Sequence, residues 1–398
     1  MSAITIDEFG PLPVRRPESV AELCGIVGEA AAAGQGVYPV GGRTTLDVGL
    51  PPSKPGLALD TSALNRVVDY PARDMTITVQ AGITIAELQR TLAAEGQWLP
   101  IDVPHPERAT LGGAIALNLS GPRRFGNGTF RDYVIGISFA TDEGQEVKAG
   151  GRVVKNVAGY DLMKLQVGAV GSLGVLTQVT LKVKPKPEAT ALVRMICTAD
   201  QLGAVLDRLH ESRSRPVIVD AASDHSTIGA AWSVWAGFEE KAETVEWQVR
   251  TLLDEMRNAP VTDVTAERGP DAAARIASSG GSSCNFAFKA NVRPSRTAEF
   301  LNAAARSHEL MLHSQALNGI VHARTVVDVT LERAKSLAAS LGDLAAESGG
   351  NVAIVCCPAA WKSALPVWGR PGPDRELIQH VKRTLDPKNV FNPGRLPG

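Results

Sequence analysis

Val37-Tyr38-Pro39-Val40-Gly41-Gly42-Arg43-Thr44-Thr45-Leu46 is the stretch that decides how this chain is read. Its apolar start forms a short buried strand that stops at a glycine pair, and an arginine and two hydroxyl side chains follow. Glycines there let consecutive backbone N–H groups turn toward one point with no Cβ in the way, a nest that suits a phosphate or pyrophosphate. Arg43 adds a fork of donors, and Thr44 and Thr45 add hydroxyls. An isolated Gly-Gly serves equally as a tight strand-to-loop turn beside a surface arginine. Further glycine-rich stretches downstream, Ala109 to Gly121 and Val170 to Val175, shift the balance toward binding. These first glycines lead into more loop, not directly into a helix, which disfavours a doubly wound nicotinamide fold.

The 398 residues suit two domains, and a hydrophobic share of 44% with 21% charged residues describes an ordinary globular chain. A net charge of −1 removes any global electrostatic case for nucleic acid or an anionic membrane surface. No apolar run is long enough to span a bilayer, and the N-terminus lacks a basic-then-apolar signal, so a cytoplasmic location is expected. Five cysteines, Cys24, Cys197, Cys284, Cys356 and Cys357, are scattered without a C-x-x-C pair. They imply no disulfide framework, and no metal or iron–sulfur cradle is expected.

Residues 1–18 are Pro-rich and read as a lead-in. Ser19 with Glu22 forms a capping-box pattern ahead of a helix whose apolar positions are Val20, Leu23, Ile26, Val27 and Ala30. Thr76 to Gly82 alternates as a strand, Thr84 to Glu95 has helical spacing, and Leu99 to Pro106 is loop. Pro185-Lys186-Pro187 marks a boundary. Beyond it, strands over 192–197, 217–221, 227–234, 284–290, 319–329 and 352–356 alternate with helices over 200–213, 239–258, 295–307 and 331–348. That order predicts an antiparallel sheet with helices on one face. The expected fold class is α+β, divided into 1–187, 188–358 and a closing segment, 359–398, that returns to the first domain.

Pro39-Val40-Gly41-Gly42-Arg43-Thr44, Thr110-Leu111-Gly112-Gly113, Gly171-Ser172-Leu173-Gly174-Val175 and Asp386-Pro387 with Phe391-Asn392-Pro393-Gly394 occur in a telling order. Together they resemble the FAD-binding domain of the vanillyl-alcohol-oxidase (PCMH-type) family. Within it, Asp60-Thr61-Ser62, Tyr70 to Ile77, Ser120 to Gly126 and Gly151 to Leu162 resemble the FAD-binding subunits of bacterial glycolate oxidase complexes. The resemblance is dense over 37–184 and 381–395 and thin between. It implies two α+β subdomains holding FAD, with an α+β cap carrying an antiparallel sheet. Pro39 and Val40 to Leu46, thus Gly41, Gly42, Arg43, Thr44 and Thr45, would wrap the pyrophosphate. Thr110, Leu111, Gly112, Gly113, Ala116 and Asn118 would lie along the flavin, bordered by Arg123 and Gly126. Gly171, Ser172 and Val175 would meet the adenosine half, and Asn392 would approach the ring. Several members tether FAD through a histidine after the Gly-Gly; Arg43 stands there, so FAD is expected to be non-covalent.

The resemblance further implies oxidation of glycolate or another 2-hydroxy acid, with hydride passing to the flavin. A second flavin subunit and an iron–sulfur subunit would be partners, with membrane association through that complex. Such chemistry needs a base for the hydroxyl and a cation for the carboxylate. His322 and Arg324, two apart on an expected strand, share one face and are the candidate catalytic pair; a solvated polar face has the same pattern. His105 is a second candidate base, and Lys155 and Asp161 flank a flavin-side motif where an ion pair would serve structure equally. The chain lacks the His-x-Gly-Asp-Gly-Asn cluster of stand-alone family dehydrogenases, which leaves two alternatives open. One is a stand-alone FAD dehydrogenase for another hydroxy acid or alcohol; the other is a non-catalytic flavin relay or scaffold.

Overall fold

The computed structural model describes residues 3–151, 161–224, 231–269, 276, 285–307 and 310–397. They divide into two compact units. The first comprises Met1–Ser120, Thr129–Lys186 and Pro371–Gly398; the second comprises Gly121–Gly128 and Pro187–Arg370.

The first unit holds two main sheets. One runs β1 (Ala3–Ile6), β2 (Phe9–Arg15), β4 (Gly56–Asp60), β3 (Gly36–Val40) in spatial order, with β3 and β2 both parallel to β4. The lead-in is therefore paired strand and not irregular chain. The prolines inside β2, Pro11 and Pro13, are accommodated because pairing with β4 starts after them, at Val14. Helix α1 (Val20–Ala32) covers this sheet through Leu23, Ile26, Val27 and Ala30. Ser19 Oγ accepts from the Glu22 amide at 3.2 Å, while the Glu22 carboxylate takes the Glu18 amide, one residue earlier than the reciprocal box requires.

The second sheet is antiparallel, ordered β5 (Val67–Asp69), β6 (Thr76–Gln80), β10 (Val175–Lys182), β8 (Val134–Ala140), β9 (Glu146–Gly150). Ile77, Val79, Val179 and Leu181 pack with α2 (Ile85–Ala93) and α3 (Leu111–Ala116) in one core. Short strands β7 (Gln97–Trp98) and β11 (Lys184–Pro185) pair with each other. The C-terminal segment is stitched into the first sheet: Phe391 bridges Val37 in parallel, and Val390 and Phe391 are fully buried.

Among the described residues, the second unit is built on an eight-stranded sheet. Its order is β15 (Asp263–Arg268), β12 (Ala189–Thr198), β14 (Ala231–Glu240), β13 (Ile218–Asp224), β17 (Leu310–Gln315), β18 (Ile320–Thr325), β16 (Ala287–Asn291), β19 (Asn351–Cys356). Every neighbouring pair is antiparallel. The helices Leu202–Glu211, Ala242–Met256, Thr297–Ala305 and Leu331–Glu347 share one core with one face of the sheet. The expected helix from 239 starts only at Ala242. The preceding alternation of buried Trp232, Val234, Ala236 and Phe238 continues the strand, which pairs on both sides as far as Gly237. The architecture is mixed α+β, with the second unit an antiparallel sheet covered by helices. Among the described residues, no helix is long and apolar enough to cross a membrane.

Candidate functional site

In the first unit the glycine-rich segments meet at one open groove with a cavity volume of about 110 Å³. Pro39, Val40, Gly41, Gly42, Arg43, Thr44, Thr45 and Leu46 form one wall. Thr110, Gly112, Gly113 and Ala116 supply a second, and Gly171, Val175 and Asn392 complete it. β3 ends where the wall begins, and Thr61 Oγ1 donates to the Val40 carbonyl at 3.2 Å, fixing that end. The glycine pair is dictated by the opposite loop. A Cβ on Gly41 would lie 2.1 Å from Thr110 Oγ1, and one on Gly42 would lie 1.8 Å from the Arg108 carbonyl oxygen. The amides of Gly42, Arg43, Thr44, Thr45 and Leu46 donate to no acceptor among the described residues. Arg43, at φ 56°, keeps a partly exposed guanidinium 3.5 Å from Asp60. Free amides beside a cation suit a pyrophosphate, and small residues on the second wall leave room for a flat ring, so the residues present fit FAD.

Other sequence-expected residues lie elsewhere. Leu111 is completely buried in the core, because it is the first residue of a helix whose apolar side faces the sheet. Ser172 is also fully buried; its hydroxyl donates to the Ala169 carbonyl at 2.6 Å and its own carbonyl accepts from Lys382. Asn118, at φ 47°, ends the α3 turn and does not line the groove. Arg123 and Gly126 belong to the second unit. There Arg123 pairs with Glu239 at 2.7 Å, and the Gly126 amide donates to the Val217 carbonyl. His105 is exposed in a turn, Asp161 pairs with Lys164 at 2.6 Å, and Lys155 lies outside the described residues. Arg395 also lines the groove, although its place after the Asn-Pro-Gly turn gives no sign of this in the sequence.

The sheet face opposite the helices of the second unit carries the candidate catalytic pair. His322 stands directly across from His313 on β17 and from Lys289 on β16. The imidazoles of His313 and His322 stack at 6.4 Å, and His313 Nε2 lies 2.8 Å from the buried Asp220 carboxylate. Arg324 follows on the same face, its guanidinium 2.8 Å from Met311 sulfur. Burial, then His313 and Lys289, push the His322 pKa down to about 3; burial and then Arg124 lower that of Lys289. His322 is thus a neutral imidazole among cations, and an anion would relieve their mutual repulsion. Sequence pattern gives His313 its face of a strand, but which strands become neighbours is set by the fold.

Residues 11–150 match the family described as FAD binding domain, and residues 371–396 match FAD linked oxidases, C-terminal domain. Glycolate oxidase subunit GlcE of Escherichia coli is 42% identical over 140 residues, which cover 35% of this chain and 40% of that protein. Glycolate oxidase subunit GlcD of Bacillus subtilis is 25% identical over 97% of this chain and 89% of its own length. D-lactate dehydrogenase of Archaeoglobus fulgidus is 25% identical over 96% and 90%. In three dimensions the chain is similar to alkyldihydroxyacetonephosphate synthase, with a TM-score of 0.72 at 16% identity, covering 96% of this chain and 77% of the other. That likeness concerns the fold alone.

Proposed function

We propose that this chain, built on the FAD-linked oxidase fold and carrying that family's FAD-binding and C-terminal segments, is the FAD-binding subunit of a complex that oxidises glycolate or a similar 2-hydroxy acid. The observation that carries the reading is the groove of the first unit, where distant glycine-rich segments leave a run of amides without protein acceptors. Pro39 to Leu46 with Arg43 would hold the pyrophosphate. Thr110, Gly112, Gly113 and Ala116 would face the flavin, Gly171 and Val175 the adenosine half, and Asn392 would support the far side. Bound FAD would supply the two-electron acceptor.

The substrate side is assigned to the polar sheet face of the second unit. Lys289 and Arg324 flank His322 and would fix the carboxylate, presenting the hydroxyl to the imidazole. His322 is unprotonated at neutral pH, and the carboxylate of a bound substrate would raise its low pKa of about 3 as the imidazole takes the hydroxyl proton. His313, oriented by Asp220, stacks beside it and restricts its ring. The similarity to GlcE over 140 residues supports the subunit assignment, with a second flavin subunit and an iron–sulfur subunit as partners. A stand-alone dehydrogenase is the second reading, supported by the near full-length similarity to a D-lactate dehydrogenase.

The test is to purify the chain, read the flavin by absorbance, and add glycolate without oxygen. A yellow protein that bleaches only when its partners are present supports the subunit reading. Bleaching of the isolated chain supports the second. A colourless protein that takes up no added FAD refutes both.

A further inference from the structure

The family match begins at residue 11, inside β2, so Asp7, in the turn of the N-terminal hairpin, lies outside it. In the structure this hairpin reaches the cofactor groove twice, through Ile6, which lines it, and through Asp7, which pairs with the groove residue Arg395. Arg395 is 5% exposed, and its guanidinium holds four groups at once. Nη1 donates to the Asp7 carboxylate and, at 2.9 Å, to the Leu50 carbonyl; Nη2 donates to the carbonyls of Leu46 and Val48. The Arg395 backbone adds a bond of its own, its carbonyl accepting from the Leu50 amide at 3.2 Å. The C-terminal end, the N-terminal hairpin and the loop after the glycine pair therefore share one buried ion pair.

We infer that Arg395, anchored by Asp7, is the positioning residue of the cofactor loop: it draws the carbonyls of Leu46, Val48 and Leu50 to one side and leaves the amides of Gly42 to Leu46 for the dinucleotide. The chemistry requires an arginine. A planar fork with five N–H donors serves three carbonyls and a carboxylate, whereas a lysine ammonium has three donors at a single point. Asp7 supplies the compensating charge without which a guanidinium so buried is strongly disfavoured. Asp7 itself does not line the groove, and its ion pair with Arg395 joins it to a residue that does.

The inference rests on the FAD reading, and its test separates the two. Full-length wild-type, Arg395→Lys and Asp7→Asn proteins are stripped of flavin, and each is titrated with FAD while thermal unfolding of the apoprotein is followed in parallel. Both variants are expected to bind FAD about tenfold more weakly or worse, the loss of one charge-assisted hydrogen bond's worth of order in the loop. Limited trypsin digestion of the apoproteins reads the loop with no flavin present. Cleavage after Arg43 is expected to quicken in both variants, beyond what their shift in unfolding temperature accounts for. Wild-type affinity together with a wild-type cleavage rate at Arg43 in both variants overturns the positioning role. A wild-type protein that binds no FAD overturns the cofactor reading instead, and the cleavage rates still decide the loop.

Discussion

At His322 a half-buried imidazole lies between another imidazole and a lysine, and its protonation is suppressed. Replacing it with asparagine is expected to cut turnover with glycolate by about 10²–10⁴-fold, the usual worth of a positioned base, in steady-state assays with an artificial acceptor. The same residue makes a stability prediction. Its pKa is about 3 when folded, against 6.5 ordinarily, so between those values the unfolded chain holds a proton that the folded chain does not. Stability therefore rises with pH across that window and this contribution is complete above 6.5. Urea midpoints at one pH inside the window and one above it should differ less in His322→Asn than in wild type. His313, Lys289, Arg124 and Arg324 titrate or carry charge nearby and Asp220 opposes them, so the comparison is made against the same background.

The glycine pair and the C-terminal turn are decided at the level of the element. Gly42→Ala forces a Cβ to 1.8 Å from backbone at Arg108, so the loop must move; the expected product is a folded or weakened protein that elutes without flavin. Gly25, in the middle of α1, is the contrasting case. A Cβ there meets nothing within 4 Å, so Gly25→Ala should raise stability by about 0.5–1 kcal/mol in urea unfolding, with flavin content unchanged. In the closing segment, Asp386 is buried and accepts the amides of Val390 and Phe391 at 2.8 and 2.9 Å as well as the Lys382 ammonium. Lys382 in turn donates to the carbonyls of Ser172 and Phe391, and burial lowers its pKa despite the Asp386 charge. Asp386→Ala strands that ammonium and is expected to cost about 3–5 kcal/mol in chemical unfolding. The Asp-Pro and Asn-Pro-Gly signature is thus a device for returning the chain to the first sheet, with Asn392 Nδ2 donating to the Val170 carbonyl at 2.7 Å as its point of contact with the groove.

At the scale of the whole molecule, adding FAD to the stripped protein should raise its unfolding temperature in step with concentration, as expected for a ligand of the folded state alone. Many strands of the main sheets and the groove segments were legible in the sequence because each depends on local pattern, whereas β1, β2, β15 and β17 were not read as strands. Period-2 alternation marks β6 and β14, capping residues mark α1 and α2, and glycine runs mark places where backbones approach closely. The sequence by itself determined the α+β class and the segments that bear main-chain donors. Tertiary structure alone decided that Leu111 and Ser172 are core and that Arg123 pairs with Glu239 inside the second unit. It also decided that His313 stands across from His322 and that Asp7 closes the charge on Arg395 from 388 positions away in the chain. The reason is physical: a hydrogen-bond donor or a charge finds its partner by strand pairing and burial, and neither leaves a mark in the spacing of residues along the chain.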